Sequence, residues 1–205
     1  MLRKYDELNN LNSYSGEIDW KTFYDAMELP EEREEERVKV ADKLFGLFLA
    51  LFVLVESVEE YEICYAYFES GLREIIEEYG YFDAYSLLYI DKFAHDYLDV
   101  TFNRMNENDY WLSDDRAIMG ALNEANAIVE YDELQDAIEE GCEFKIWRTE
   151  NDSKVRQTHR EVNGKKIPID DFFEVGGELL LYPRDEVNCG DLREISNCRC
   201  HIDFE

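Results

Sequence analysis

The sequence has few positive charges for its size. Among its 205 residues are 21 Lys and Arg against 49 Asp and Glu, which gives a formal net charge of −28. A protein that binds duplex DNA neutralises phosphates with basic side chains, and so strong a negative charge opposes that contact. We therefore expect no direct, sequence-specific nucleic-acid binding by the chain as a whole.

Signals for export and for membrane insertion are also missing. The N-terminus has no basic stretch followed by an apolar core and a cleavage site, the form of a secretory signal. The longest apolar run, residues 44–55, would span about 18 Å as a helix, whereas a bilayer core is about 30 Å thick. We predict a helix that is buried in the monomer, packs on a partner subunit or meets a membrane only transiently, without stable membrane insertion.

The cysteines do not suggest a disulfide framework. There are five, an odd number, and nothing in the sequence indicates secretion. A chain of this length can bury a core without such cross-links. Reduced thiols in a cytoplasm are the expected state.

Negative charge is concentrated in the first 143 residues. From Phe144 onwards, 10 Lys and Arg stand against 13 Asp and Glu, a net charge of −3 that leaves −25 for the rest. Two regions of different character are predicted. The first is an acidic helical region, residues 1–112, and the second is a module of residues 113–205 with a long helix at 114–140 and a β-rich part at 144–203. The predicted fold class is α+β.

Helical patterns fill the first region. Residues 1–30 predict a short helix and a loop, and the acidic residues after Pro30 open a helix that extends to about Ser57. Residues 59–79 and 83–103 carry apolar side chains at three- and four-residue spacing, which favours two helices with one face in the core. The residues predicted on these faces are Tyr61, Cys64, Tyr65, Phe68, Leu72, Ile75 and Ile76, then Tyr85, Leu88, Tyr89, Phe93, Tyr97 and Val100.

The module begins with Ser113, a predicted N-cap for the long helix that Gly141 ends. Short β-like runs follow at residues 145–149, 155–162, 165–169 and 178–182. Asn163-Gly164 predicts a β-hairpin between the second and third runs. The predicted core of the module is Trp147, Phe172, Phe173, residues 179–182 and Pro183, and the predicted basic side of the hairpin is Arg148, Arg156, Arg160, Lys165 and Lys166.

The candidate metal ligands are His159, Cys189, Cys198 and Cys200. Cysteines two apart on an extended strand point to the same side, so Cys198 and Cys200 can chelate one cation such as zinc, with His159 from the hairpin. Cys189 or an Asp would be the fourth ligand. The opposing interpretation is reduced thiols beside a hydrogen-bonded histidine, because a strong zinc pattern has two close Cys or His pairs and this chain has one.

Catalytic motifs are missing. The His-x-Glu and Pro-Cys-x-x-Cys of zinc deaminases do not occur, and Gly176-Gly177 lacks the Lys-Ser/Thr of a phosphate-binding loop. Cys189, Cys198 and Cys200 lie in no recognisable nucleophile setting. We predict a protein without catalytic residues. The alternative is a metal-dependent enzyme or toxin-like effector that uses His159, Cys198 and Cys200.

Several short motifs follow one another in a specific order over residues 113–203. They are Arg116-Ala117, Asn123-Glu124-Ala125-Asn126, Lys145-Ile146-Trp147-Arg148-Thr149, Asp152 to His159, Asn163-Gly164-Lys165, Phe172-Phe173, Gly176-Gly177-Glu178, Leu181-Tyr182-Pro183-Arg184-Asp185 and Asn197-Cys198-Arg199-Cys200. In this order they resemble the conserved module of the phage Mu F-like minor head proteins. The residues that carry the resemblance are Glu124, Asn126, Trp147, Asp152, Arg156, His159, Gly164, Pro183, Asn197, Cys198, Arg199 and Cys200.

The resemblance implies a non-enzymatic, low-copy virion protein in the capsid interior or at the portal vertex. Its implied partners are the portal protein, the major capsid protein or both, met in the host cytoplasm during head assembly, with a role in DNA packaging or ejection. Some proteins of this kind carry Cys-x-x-Cys where this chain has Arg156 and His159, together with the terminal Cys-Arg-Cys, which implies a metal site in them and leaves zinc open here. Because Arg156 replaces one of those cysteines, the resemblance implies that His159 instead pairs with Asp152 or a backbone carbonyl.

Overall fold

The computed structural model describes residues 18–24, 27–58, 60–150 and 152–205. The chain forms two compact units, Met1–Ala125 and Asn126–Glu205, and the division between them falls inside the long helix of residues 114–139. Helices dominate the first unit and short antiparallel sheets lie in the second, which confirms the α+β prediction. Most of the helix and loop predicted for residues 1–30 lies outside the described residues.

The N-terminal unit contains helices α1 (Trp20–Tyr24), α2 (Glu31–Val58), α3 (Tyr61–Tyr79) and α4 (Ala84–Arg104) and a 3-10 helix (Asp109–Leu112). Glu31, Glu32 and Glu34 lie in the first turn of α2, where they complement the positive end of the helix dipole. The apolar run 44–55 is in the middle of α2. Most of its large side chains are buried, with Phe48 against the rings of Phe68 and Tyr97, whereas Val53 is 65% exposed.

The predicted inner face is largely right for α3, where only Tyr61 and Tyr65 are incompletely buried, and partly wrong for α4. Cys64, Phe68, Leu72, Ile75 and Ile76 of α3 are all buried. In α4, Leu88 is 59% exposed and Val100 is 39% exposed, so neither belongs to the core. The buried residues of α4 are Ser86, Tyr89, Ile90, Phe93, Ala94, Leu98 and Thr101.

Helix α5 (Asp114–Glu139) begins and ends as the sequence predicts. The Ser113 hydroxyl accepts a hydrogen bond from the backbone N–H of Arg116, the usual bond of an N-cap. At the other end Gly141 takes a φ of +85°, and the amides of Gly141 and Cys142 donate to the carbonyls of Ile138 and Ala137. This pair of bonds caps the orphan carbonyls of the last turn.

The C-terminal unit contains strands β1 (Phe144–Arg148), β2 (Lys166–Pro168), β3 (Phe173–Val175), β4 (Glu178–Leu180) and β5 (His201–Phe204), and helices α6 (Gln157–Val162) and α7 (Leu192–Ile195). Strand β1 is central in an antiparallel sheet of order β2-β1-β5, and β3 pairs with β4 across Gly176-Gly177. Both glycines have positive φ, +63° and +95°, which a two-residue hairpin turn of this kind requires.

Residues 155–162, predicted as a β-like run, instead contain helix α6, and Asn163-Gly164 links that helix to β2 rather than closing a hairpin. The helix buries His159 and Val162, which are three residues apart and therefore share a face. Packing of this face overrides the strand preference of the Val and Thr residues. His159 therefore reaches the core from a helix.

The core of the C-terminal unit differs in part from the prediction. Trp147, Phe173, Leu180, Tyr182 and Pro183 are buried, whereas Phe172 and Leu179 are 43% and 55% exposed. Most of the predicted basic side is paired within the unit. Arg148 bonds Asp203 at 2.5 Å, Lys166 bonds Glu205 at 2.6 Å, and Arg160 donates to the Asp152 carbonyl.

Candidate functional site

Three potential metal ligands meet in the core of the C-terminal unit. The Nδ1 atom of His159 lies 3.3 Å from the Sγ atom of Cys200 and 3.5 Å from that of Cys198. One donor atom from each of the three residues lies within 4.8 Å of the other two. The side chains are almost fully enclosed, with 1%, 5% and 2% exposure for His159, Cys198 and Cys200. We call these three residues the Cys-His cluster.

Two separate segments bring the Cys-His cluster together. Helix α6 supplies His159, and the turn that leads into β5 supplies the two cysteines. Asn197 adopts a left-handed φ of +52° just before Cys198, a conformation that Asn tolerates better than most residues. The backbone N–H of Cys200 then points at the Cys198 sulfur, 3.5 Å away. Beyond the turn, β5 is fixed by pairing with β1 and by the buried carboxylate of Glu130, which accepts the Ile202 amide at 2.5 Å.

The cluster changes the proton affinity of its own members. The pKa of the Cys198 thiol lies well below its usual value, because Cys200 donates a hydrogen bond to its sulfur and His159 adds another together with positive charge. The pKa of Cys200 is raised by that same hydrogen bond and by burial. Burial lowers the pKa of His159, but the bond to Cys198 and its charge outweigh this effect and raise it overall. The arrangement favours a thiolate at Cys198.

A carboxylate lies on the other side of the histidine ring. The Nε2 atom of His159 is 3.3 Å from the Oε2 atom of Glu194, close enough for an ion pair although the angle does not suit a hydrogen bond. The Thr158 hydroxyl donates to the same oxygen at 2.8 Å and holds it in place. Trp147 packs edge-on against the imidazole, with ring centroids 5.7 Å apart. The histidine is thus oriented by contacts at both nitrogens and on its ring.

The other predicted ligand and pairing residues lie outside the Cys-His cluster. Cys189 donates its thiol to the Asp191 carbonyl at 3.1 Å and is not one of the three grouped ligands. Asp152 pairs with Arg199 at 2.8 Å rather than with His159, and this contact outweighs the effect of burial and lowers the pKa of the carboxyl. Arg156, at the N-cap of α6, donates to the Ser196 carbonyl.

The remaining residues of the family motif lie outside the Cys-His cluster. Glu124 accepts a hydrogen bond from the Tyr89 hydroxyl at 2.7 Å within the N-terminal unit, and Asn126 is buried in the C-terminal unit. Gly164 has a φ of +76° and donates its amide to the Trp147 carbonyl at 2.8 Å. Pro183 is buried.

A family model described as phage Mu protein F like protein matches residues 99–202. The chain belongs to the phage Mu protein F-like family. This confirms the resemblance found in the sequence and indicates a phage head protein. The match runs from the end of α4 into β5 and includes every residue of the Cys-His cluster. Neither the curated proteins nor the solved structures searched contain a match.

In this Mu F-like chain the donor set suits a soft or borderline cation, because two thiols and one imidazole are ligands that zinc accepts. Glu194, Thr158 and Glu130 complete the surroundings of the cluster and were missed in the sequence. Thr158 is next to His159 in the chain, but Glu194 and Glu130 follow no local pattern that would single them out. Among the helices that the structure describes between residues 18 and 205, none combines the length and apolar character needed to cross a bilayer.

Proposed function

We propose that this protein is a non-enzymatic minor head protein that binds the portal protein, the major capsid protein or both. It acts in the capsid interior or at the portal vertex, in head assembly and in the packaging or ejection of DNA. The observation that carries this proposal is the Mu F-like family match over residues 99–202, half of the chain. It joins its partners in the host cytoplasm and remains in the virion.

The charge of the chain supports a place close to packaged DNA without attachment to it. Residues 1–143 carry a net −25 and residues 144–205 a net −3. In the C-terminal unit, Arg148, Lys166 and Arg199 already pair with carboxylates of the same unit. Such a surface repels phosphate and offers few unpaired cations for it. Contact with protein subunits is therefore favoured over contact with the genome.

The burial of the Cys-His cluster supports the absence of catalysis. A catalytic metal keeps one coordination position open to substrate, whereas structural metal sites are closed. His159 is 1% exposed and both cysteines are at most 5% exposed, so a substrate has no direct access to them. This favours the head protein over a metal-dependent enzyme or toxin-like effector.

The proposal is tested by co-expression with the portal and major capsid proteins encoded beside it, followed by purification through a tag on this chain. We expect the portal protein, the capsid protein or both to co-purify at a fixed ratio that survives size-exclusion chromatography. An unrelated protein of similar size and net charge serves as the control, because strong negative charge alone can retain basic partners.

Absence of both partners, with the tagged chain folded by circular dichroism, would overturn the proposal. His159→Ala separates the two functional classes. For a head protein it changes stability without removing a chemical activity, whereas for an effector it abolishes turnover. Retention of partner binding by folded His159→Ala, without any change in a hydrolytic or transferase activity screen, is the expected result.

A further inference from the structure

We propose that the Cys-His cluster binds one zinc ion through Nδ1 of His159 and the Sγ atoms of Cys198 and Cys200, and that Glu194 orients the histidine for this purpose. This site is independent of the proposed head function, since it concerns the internal architecture of the C-terminal unit.

The two nitrogen-to-sulfur separations match those of a tetrahedral zinc site. Zinc bonds of about 2.3 Å to sulfur and about 2.0–2.1 Å to nitrogen place a sulfur and a nitrogen about 3.6 Å apart at a tetrahedral angle. The observed separations from His159 Nδ1 are 3.3 Å to Cys200 and 3.5 Å to Cys198. Both separations lie within about 0.3 Å of the tetrahedral value.

The two nitrogens of His159 have different partners, as expected for a metal ligand. Nδ1 faces the two sulfurs, and Nε2 faces the Glu194 carboxylate at 3.3 Å, an ion-pair contact that is not a hydrogen bond in this structure. Histidines that bind metal commonly donate the hydrogen of the second nitrogen to a carboxylate, which fixes the tautomer and strengthens the ligand. Glu194 lies outside the three-residue ligand group, so we assign it a positioning role.

The position of Glu194 is itself fixed by neighbouring residues. Thr158 donates its hydroxyl to the Oε2 atom. At Gly176, an added Cβ atom would lie 2.6 Å from the Oε1 atom, so the carboxylate occupies space that this glycine leaves. Thr158 therefore holds Glu194 beside the histidine, and Gly176 leaves room for it. Such support is typical of the outer shell of a metal site.

Burial and charge define the kind of ion and its role. In the forms that bind zinc, two thiolates and a neutral imidazole carry two negative charges in an enclosed core, and a divalent cation compensates them. Soft sulfur with imidazole favours zinc over magnesium or calcium, which prefer oxygen ligands. The described residues supply three donors, and their enclosure keeps a substrate from the fourth coordination position. Enclosure on this scale points to a structural ion that ties α6 to the start of β5.

The test is metal analysis of the full-length chain, expressed in zinc-supplemented medium and purified without chelators. We expect about one zinc per chain by inductively coupled plasma mass spectrometry, a stoichiometry that follows from one tetrahedral site. Cys198→Ser, Cys200→Ser and His159→Gln should each lose most of the zinc. Cys189→Ser is the matched control, because Cys189 is equally buried but bonds the Asp191 carbonyl.

Cobalt(II) reconstitution of the unsubstituted chain keeps the test decisive if a variant fails to fold. We expect thiolate-to-cobalt charge-transfer absorption and tetrahedral d–d bands, both abolished by competing zinc. The proposal is wrong if the folded chain takes up neither metal, if cobalt shows no thiolate bands, or if Cys189→Ser loses zinc as completely as Cys200→Ser. Partner binding is measured separately, so failure of the zinc site leaves the head proposal unaffected.

Discussion

The Nδ1 atom of His159 lies 3.3 Å from the Sγ atom of Cys200, although 41 residues separate the two in the chain. The contact joins helix α6 to the turn before β5, and so encloses strands β2, β3 and β4 and helix α7 in one loop of the C-terminal unit. A bond across such a loop restricts the unfolded chain more than the folded one. Occupancy of the Cys-His cluster by a metal would therefore stabilise the unit as a whole.

Glu194→Gln should lower the affinity for zinc by about tenfold to a hundredfold. The amide keeps the size of the side chain but removes the charge that strengthens His159 as a ligand. Titration against a chromophoric chelator measures the change, and stoichiometry at saturating zinc should remain that of the unsubstituted chain. Glu178→Gln is the control, because its carboxylate accepts the Gly190 amide and lies outside the ligand group. Equal losses in both variants would contradict a specific role for Glu194.

Gly176→Ala should both destabilise the protein and weaken zinc binding. The left-handed φ of +63° costs an alanine about 1–2 kcal/mol, and its Cβ meets the Glu194 carboxylate at 2.6 Å. Gly177→Ala, in the same turn, has φ of +95° and no atom within 4 Å of the added Cβ, so it should destabilise without changing zinc affinity. Urea denaturation and the chelator titration separate the effects. Unchanged zinc affinity in Gly176→Ala would show that Glu194 adapts freely.

Helical periodicity predicts most of the buried face of α3, but it does not fully predict which residues of α4 are buried. In α4 the polar residues Ser86 and Thr101 are buried, because their hydroxyls donate to the carbonyls of Tyr81 and Tyr97. A pattern based on apolar residues passes over such positions and selects Leu88 and Val100 instead. Local hydrogen bonds that satisfy a buried hydroxyl are not visible in apolar spacing.

The Cys-His cluster was predictable as a set of residue types, and its geometry was not. His159 and the cysteine pair are conspicuous in the sequence, whereas Cys189 was grouped with them only because the ligand chemistry was suitable. Helix α6 was missed because six residues are too few to show a helical period, and because Val and Thr favour strands. Glu194 reaches the histidine only through the folding of α7 beside α6, a contact without any local signal.

Lys145 should make the free energy of unfolding rise with pH in the alkaline range. Its side chain is fully buried, with Nζ donating to the Leu181 carbonyl at 2.7 Å, and burial lowers its pKa to about 8 despite the nearby charge of Asp185. The unfolded chain keeps a value of about 10.4. Between these two values the unfolded state binds the proton and the folded state does not, so stability rises with pH. Below the folded pKa both states are protonated and this contribution is constant.

The prediction is tested by comparison of the unsubstituted chain with Lys145→Met in urea at several pH values from neutral to about 10. As the pH rises from about 8 to about 10, the unfolding free energy of the unsubstituted chain should rise relative to that of Lys145→Met. Lys166→Met is the control, because Lys166 is exposed and pairs with Glu205. If the unfolding free energies of the unsubstituted chain and Lys145→Met differ by the same amount at every pH, Lys145 has an ordinary pKa in the folded protein.

Phe48→Ala should destabilise the N-terminal unit by about 3–5 kcal/mol. Phe48 is fully buried in the apolar run of α2. The centroid of its ring lies 5.5 Å from that of Phe68, 6.4 Å from that of Phe93 and 4.8 Å from that of Tyr97. Truncation leaves a cavity among three rings that cannot easily collapse. Thermal and urea unfolding of the monomeric chain, monitored by near-ultraviolet circular dichroism, measures the loss.

Val53→Ala provides the matched control in the same helix and the same apolar run. Val53 is 65% exposed, so its truncation should change stability by no more than about 0.5 kcal/mol. If both variants were nearly neutral in the monomer, the run would gain its packing from a partner subunit rather than from α3 and α4. A large loss confined to Phe48→Ala instead places the apolar run in the core of the monomer, where its length of twelve residues is explained without a membrane or a partner.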